Sequence, residues 1–344
     1  MNDTQSLLSV IGLKKYFPVK GSFLGQRKYL HANENINLEI KAGETFSLVG
    51  ESGSGKSTLG RTILGLYKPT AGKVIYRGTG EEIELTRLKN KQMRPLRSDL
   101  QIIFQDPYSS LNPRMTIGQI IEEGVATHRY YRRGTPQMRE YILSVMEKCG
   151  LQAEALHRYP HQFSGGQRQR VCIARALAVK PKFVVCDECV SALDASIQSQ
   201  ILNLLVELKE RENLTYLFIS HDLSVVRHIS DRIAVMYLGN IVETGTAKQV
   251  FENPRHPYTL ALLSAVPSLK KSKGESEPIL LKGSIPSPVS PPSGCKFHTR
   301  CFMACKECER IPAPIVEIEN GHFVSCHFAE KTAKQKREIA KKTE

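Results

Sequence analysis

Three stretches of this chain carry residues whose types and spacing suit them to handling phosphate. The first is Gly50-Glu51-Ser52-Gly53-Ser54-Gly55-Lys56-Ser57-Thr58. It follows an apolar run, Thr45–Val49, and precedes a helical pattern from Thr58 to Tyr67. Strand, glycine loop and helix in that order are the context that a phosphate-binding P-loop requires. Glycines let successive backbone N–H groups turn inward as an anion nest, and the helix adds its positive N-terminal dipole. Lys56 can reach the β- and γ-phosphates of a nucleotide, and the Ser57 hydroxyl can ligate Mg²⁺. A glycine-rich turn is the plain alternative, and the flanking elements argue against it.

The second stretch is Asp187-Glu188, delivered at the carboxyl end of the wholly apolar run Phe183–Cys186. Such runs belong in the middle of a parallel sheet, and ligands bind beyond the carboxyl ends of such strands. The aspartate can hold Mg²⁺, directly or through water, and the glutamate can polarise an attacking water. The third stretch, Ser164-Gly165-Gly166-Gln167, opens a helix expected over Arg168–Val179. It offers a second nest with a hydroxyl beside it. One nucleotide does not need two nests from one chain. The economical arrangement is a dimer, with each ATP between one chain's P-loop and its partner's second nest. A glycine-containing helix cap is the plain alternative.

The elements that must position these residues form an α/β pattern. Strands are expected at Leu7–Phe17, Leu30–Ile40, Thr45–Val49, Val74–Tyr76, Leu100–Phe104, Phe183–Cys186 and Leu214–Ile219. A closing hairpin is expected at Ile233–Met236 and Asn240–Glu243, turning at Gly239-Asn240. Phe17, ending the first strand just upstream of the P-loop, can stack on an adenine ring. Residues 106–159 read as an inserted helical block, with Ile117, Ile120, Ile121 and Val125 at three-to-four spacing. A helix is expected from Ala195 to Glu210. From about Phe251 the chain becomes proline-rich and is expected to be extended and poor in helix. The lysine-rich residues 331–344 lack an apolar face and are expected to be disordered or a frayed helix.

Composition narrows the class. The 344 residues are 41% hydrophobic and 24% charged, ordinary for a folded domain with additions. No run approaches the ~18 apolar residues of a membrane span, and the N-terminus does not read as a signal peptide, so a cytosolic location is expected. The formal net charge of +14 invites an anionic partner, but no nucleic-acid motif accompanies it, and a solvated basic surface is expected. An odd count of nine cysteines argues against a disulfide framework. Five of the nine fall between Cys295 and Cys326 and look like a ligand set. Cys295, Cys301, Cys308 and Cys326 have gaps of five, six and seventeen residues, with Cys305 as an alternative ligand. Four thiolates suit a [4Fe–4S] cluster or a tetrahedral Zn²⁺; unmetallated thiols are the third reading.

In this order the motifs resemble the ATP-binding subunit of an ABC transporter. Gly50–Thr58 matches Walker A, Gln105 the Q-loop, Phe163–Gln167 the signature, Phe183–Glu188 Walker B, Ser191–Asp194 the D-loop, and His221 the switch histidine. Gln105–Arg114, His256-Pro257-Tyr258-Thr259 and Gly294–Cys301 are further similar to the oligopeptide/dipeptide/nickel importer ATPases, most of all the F subunit of the ATPase pair. The resemblance departs at Cys189, where the family usually has proline after the acidic pair.

The fold implied is an α/β P-loop NTPase: a RecA-like core with an antiparallel β subdomain and an inserted helical subdomain, plus a small proline-rich, cysteine-containing C-terminal extension. The boundaries expected are 1–105 and 160–250 for the core, 106–159 for the insert, 251–330 for the extension and 331–344 for the basic tail. Glu188 is then the residue that orients or deprotonates water. Lys56 and His221 contact the γ-phosphate, Ser57, Gln105 and Asp187 serve Mg²⁺, and Asp194 belongs to the D-loop. The resemblance also implies an iron–sulfur cluster in some members, a non-identical partner ATPase, two transmembrane permeases and, indirectly, an extracytoplasmic solute-binding protein. It places the chain at the cytoplasmic face of the membrane, with no nucleic acid partner and a peptide as the leading cargo; nickel, glutathione or another small solute is the alternative cargo, and a soluble non-transport ABC ATPase the more distant reading.

Overall fold

The computed structural model describes residues 6–19, 27–265 and 278–330. The basic tail, 331–344, lies outside them. The chain divides into two compact units, one comprising Met1–Ser9, Glu39–Thr45 and Ile75–Ser220, the other Val10–Leu38, Phe46–Val74 and His221–Glu344. No helix among the described residues is long and apolar enough to cross a membrane.

In the first unit the strands Leu100–Ile103, Phe183–Asp187 and Thr215–Ser220 are adjacent and parallel, with Ile103 opposite Cys186 and Cys186 opposite Phe218. Every residue of Phe183–Asp187 and Thr215–Ser220 is buried, which is why these stretches read as continuous rather than alternating apolar runs. The segment after Leu100–Ile103 is helical. Pro107–Ser110, Ile117–Thr127 and Pro136–Lys148 are α-helices, and short 3₁₀ turns follow to Gln162. Ile117, Ile120, Ile121 and Val125 all face the interior, as their spacing requires. The charged segment before Arg97 holds two elements without a clear sequence signal, the strand Ile83–Glu84 and the helix Asn90–Leu96.

In the second unit the P-loop strand Thr45–Val49 pairs in parallel with Arg232–Tyr237, Phe46 opposite Arg232 and Val49 opposite Val235. Arg232–Tyr237 returns antiparallel as Asn240–Thr246. The turn is Leu238-Gly239 rather than Gly239-Asn240; both central residues have positive φ, 44° and 79°, as a two-residue hairpin turn demands. The helix Leu223–Ile229 carries its start signal in Asp222, which caps it by accepting from the Ser224 and Val225 N–H groups.

The proline-rich end departs most from expectation. Pro257–Ser264 is an α-helix with its proline at the first turn, where a missing N–H is harmless, and His256 as its cap. Beyond it, Ile315–Glu319 and His322–Ser325 form a hairpin whose second strand pairs with Asn240–Thr246, Glu243 opposite Val324. The extension therefore adds two strands to the unit's sheet. The join is fixed by a buried carboxylate. Glu243, fully buried, accepts from His322 Nε2 at 2.8 Å, from the Arg255 N–H at 2.8 Å and from the His256 N–H at 2.9 Å.

Candidate functional site

The loop Gly50–Thr58 is built by close backbone approach. Gly50 and Gly55 have φ of 148° and 101°. A Cβ at Gly50 would lie 2.2 Å from Met236 O, and one at Gly55 2.1 Å from Ala32 O, so no other residue fits either position. Gly53, also left-handed at φ 79°, has open space beside it. The loop is held by the Asn33 side chain donating to Gly55 O at 3.0 Å and by the Gly239 N–H donating to Ser54 O at 3.0 Å. Lys56 is buried and its ammonium donates to Gly50 O at 2.7 Å, Glu51 O at 3.0 Å and Ser54 Oγ at 3.4 Å. It sits at the loop's centre, not on the surface. Ser52 and Gly53 are exposed, and Ser57 and Thr58 are half-buried in the first helical turn. The helix is Lys56–Ile63, starting earlier and ending sooner than expected, because Gly65 at φ 68° turns the chain out of it. Phe17, half-buried, meets Tyr67 edge-on at 5.5 Å, with the Lys15 ammonium 4.5 Å from its ring centroid. His221 is exposed at the end of Thr215–Ser220.

Within the first unit the acidic pair is equally specific. Asp187 is buried at the strand's end, while Glu188 adopts a left-handed φ of 49° and donates its N–H to Ile219 O at 3.0 Å. A non-glycine residue held there signals a constrained functional position. Gln105 reaches it directly: its Nε2 donates to Glu188 Oε2 at 3.0 Å. Ser191 Oγ donates to Glu188 O at 2.9 Å, closing the turn that proline would otherwise stiffen. Cys189, at that position, is buried; its thiol hydrogen-bonds that of Cys186 and, together with burial, pushes the Cys186 thiol well up.

The Ser164–Gln167 stretch opens the helix Gly165–Leu177. Ser164 Oγ accepts from the Gln167 N–H at 3.4 Å, and Gln167 Oε1 accepts from the Ser164 N–H at 3.1 Å. This capping box leaves Ser164, Gly165 and Gln167 exposed, while Gly166 is small for packing: its Cβ would lie 2.3 Å from Ile197 Cγ2. Asp194 precedes the helix Ala195–Glu212, exposed and making no capping bond.

All nine cysteines are free thiols. Cys295, Cys301, Cys308 and Cys326 line one small cavity with apolar neighbours such as Phe297, Met303 and Phe328. Cys305 does not line it; its Sγ lies 3.7 Å from that of Cys308. Burial pushes the Cys301 thiol to about 12, Cys326 to about 11 and Cys295 upward. The donor type and the shared cavity suit a thiolate-held group. Against that, no group of three or more His, Cys, Asp or Glu among the described residues is disposed to hold a metal ion.

Sequence reasoning overlooked a set of contacts to the P-loop from the extension. The Glu51 N–H donates to Tyr258 Oη at 2.9 Å. Arg300 pairs with the Glu51 carboxylate in two parallel bonds, Nη1 to Oε2 at 2.7 Å and Nη2 to Oε1 at 3.1 Å.

Comparison with known proteins agrees with this geometry. The ABC transporter family profile matches residues 33–191, and the profile for the oligopeptide/dipeptide transporter C-terminal region matches 242–308. The oligopeptide transport ATP-binding protein AppF of Bacillus subtilis is 48% identical over 94% of this chain and 98% of its own length. The dipeptide transport ATP-binding protein DppF of Haemophilus influenzae is 45% identical over 95% and 98%. Among solved structures, the dimeric ATP-binding cassette MJ0796, in a post-hydrolysis state with ADP and Pi, superposes with a TM-score of 0.61 at 30% identity, covering 70% of this chain and 98% of that one. The α/β P-loop fold, the glycine cradle around Lys56 and these likenesses together establish that the chain belongs to the ATP-hydrolysing, ATP-binding subunits of ABC transporters, in their oligopeptide/dipeptide branch.

Proposed function

We propose that this chain powers the import of di- or oligopeptides by hydrolysing ATP to ADP and phosphate at the cytoplasmic face of a membrane. The observation that carries the cargo is near-full-length likeness to peptide-transport ATP-binding proteins such as AppF and DppF. Family membership brings permease partners and a paired ATPase arrangement. The finer reading is that the partner ATPase is a non-identical subunit, that the permeases are two, and that an extracytoplasmic solute-binding protein delivers the cargo. The boundaries 1–105 with 160–250, 106–159 and 251–330 are our working division into core, insert and extension.

In this reading residues 50–58 and Lys56 hold the triphosphate, and Phe17 lies against the base. The exposed Ser164-Gly165-Gly166-Gln167 contacts the partner's nucleotide, with Asp194 at the same interface. Ser57, Gln105 and Asp187 are the residues that would hold Mg²⁺, which supplies charge neutralisation on the phosphates. Glu188 orients or deprotonates the attacking water, the Gln105 amide holding its carboxylate in place, and His221 contacts the γ-phosphate. Loss of such a base typically costs a factor of ~10²–10⁴. Glu188→Gln is therefore expected to bind ATP normally and to hydrolyse it at least about a hundredfold more slowly. Near-parental turnover in that variant refutes the assignment. Peptide-stimulated ATPase of the complex reconstituted with its permeases tests the cargo; stimulation by nickel or glutathione instead would replace it.

We further propose that Cys295, Cys301, Cys308 and Cys326 hold a [4Fe–4S] cluster, supported by the one cavity that those four thiols share. Such a cluster would tie the extension together through its thiolates. Anaerobically purified protein should be brown and carry iron and sulfide; colourless, iron-free protein overturns this reading.

A further inference from the structure

We propose that Arg300 is a positioning residue of the phosphate-binding loop, neutralising a carboxylate that the loop carries beside its own anion site. This rests on the reading of residues 50–58 as the ATP cradle. Glu51 is the first residue after Gly50, and its carbonyl accepts from the Lys56 ammonium at 3.0 Å. A carboxylate on a loop that must receive a triphosphate has the wrong sign, since like charges at close range in a partly dry site repel strongly. The structure sets a guanidinium against this partly solvated carboxylate. Arg300 is only 8% exposed, against 27% for Glu51, and meets it bidentately. This fork geometry fixes direction as well as charge. The guanidinium also lies 5.9 Å from the Tyr237 ring centroid, and Tyr258 Oη accepts the N–H of the same Glu51.

The origin of Arg300 gives the contact its meaning. It closes the short 3₁₀ turn His298–Arg300, between Cys295 and Cys301. The extension thus contributes a side chain to the nucleotide site, and a rearrangement of the cysteine-bearing turn would move the group that masks Glu51. The extension's hold on ATP is electrostatic.

Titrating the full-length protein with ATP by calorimetry, alongside steady-state kinetics, tests this. Arg300→Ala is expected to weaken ATP binding about tenfold, raising KM with kcat at saturation little changed. Glu51→Gln removes the charge and keeps the shape, so it serves as the background in which the effect of Arg300→Ala is read. In the double variant the loss should largely vanish, because no bare carboxylate remains. A purely structural role for Arg300 would lower the denaturant midpoint in step with the lost affinity; that correlation overturns the proposal, as does failure of rescue by Glu51→Gln or unchanged binding in Arg300→Ala. If Arg300→Ala does not fold, Arg300→Lys, which keeps the charge and loses the fork, replaces it; parental affinity insensitive to salt in that variant also overturns the proposal. A parent that does not bind ATP would refute the cradle itself, a separate outcome.

Discussion

At Gly55 a Cβ would fall 2.1 Å from Ala32 O and 2.9 Å from Asn33 Nδ2, in a backbone at φ 101°. Side-chain repacking cannot relieve a clash with a carbonyl of a neighbouring strand. Gly55→Ala should lower stability by roughly 2–4 kcal/mol and remove ATP binding, seen in denaturant unfolding and in titration with a fluorescent ATP analogue. Gly53→Ala, with nothing within 4 Å, meets only the cost of its left-handed φ and should be much milder. The residue scale is also where the sequence was most readable. Gly50–Thr58, Asp187-Glu188 and Ser164–Gln167 are contiguous motifs whose chemistry is complete within a few residues. Arg300 was not readable. It stands 249 residues from Glu51, and an arginine in a cysteine-rich turn has no local pattern to announce its partner.

At the scale of elements, the buried central strands are legible as unbroken apolar runs and the inserted helices by the three-to-four spacing of their buried residues. In the extension, the proline-dense stretch 278–297 has neither helix nor strand, as its composition implies, whereas the helix Pro257–Ser264 and the hairpin beyond Ile315 depart from that expectation. Pro257 at a helix's first turn follows a rule as firm as any glycine's, with His256 capping it through Nδ1, which accepts the Tyr258 N–H at 3.1 Å. That cap works only with neutral imidazole at Nδ1, and burial pushes His256 down to about 3 from an ordinary 6.5. The unfolded chain therefore takes up the proton first as pH falls. The contribution of His256 is fully present above about pH 6.5 and is lost toward about pH 3, at roughly 1 kcal/mol per pH unit. Denaturant midpoints measured from pH 7 to 5 should fall less steeply in His256→Asn, whose amide caps without titrating. Glu243 is fully buried and bonded to His322 and two backbone donors. Removing it in Glu243→Ala strands those donors and should destabilise the second unit by about 3 kcal/mol, read by chemical unfolding.

For the whole molecule, the hairpin Ile315–Glu319 and His322–Ser325 matters most, because it covers the strand Asn240–Thr246 that would otherwise end the sheet. A chain cut after Arg310 would bare that edge and leave Glu243 without His322. Such exposed edges recruit other chains, so the truncated protein is expected to sediment as aggregates where the full chain does not. No sequence period marked this join, since strand pairing across some eighty residues leaves only two short apolar stretches behind.

The Arg300–Glu51 pair carries a consequence in time as well as in space. A ribosome adds on the order of 5–20 residues each second, so the 249 residues between the two partners take on the order of tens of seconds to emerge. Throughout that interval the nascent phosphate loop carries an unmasked negative charge. If Arg300 sets the loop's affinity for ATP as proposed, that affinity is complete only once the cysteine-bearing turn has left the tunnel and folded back.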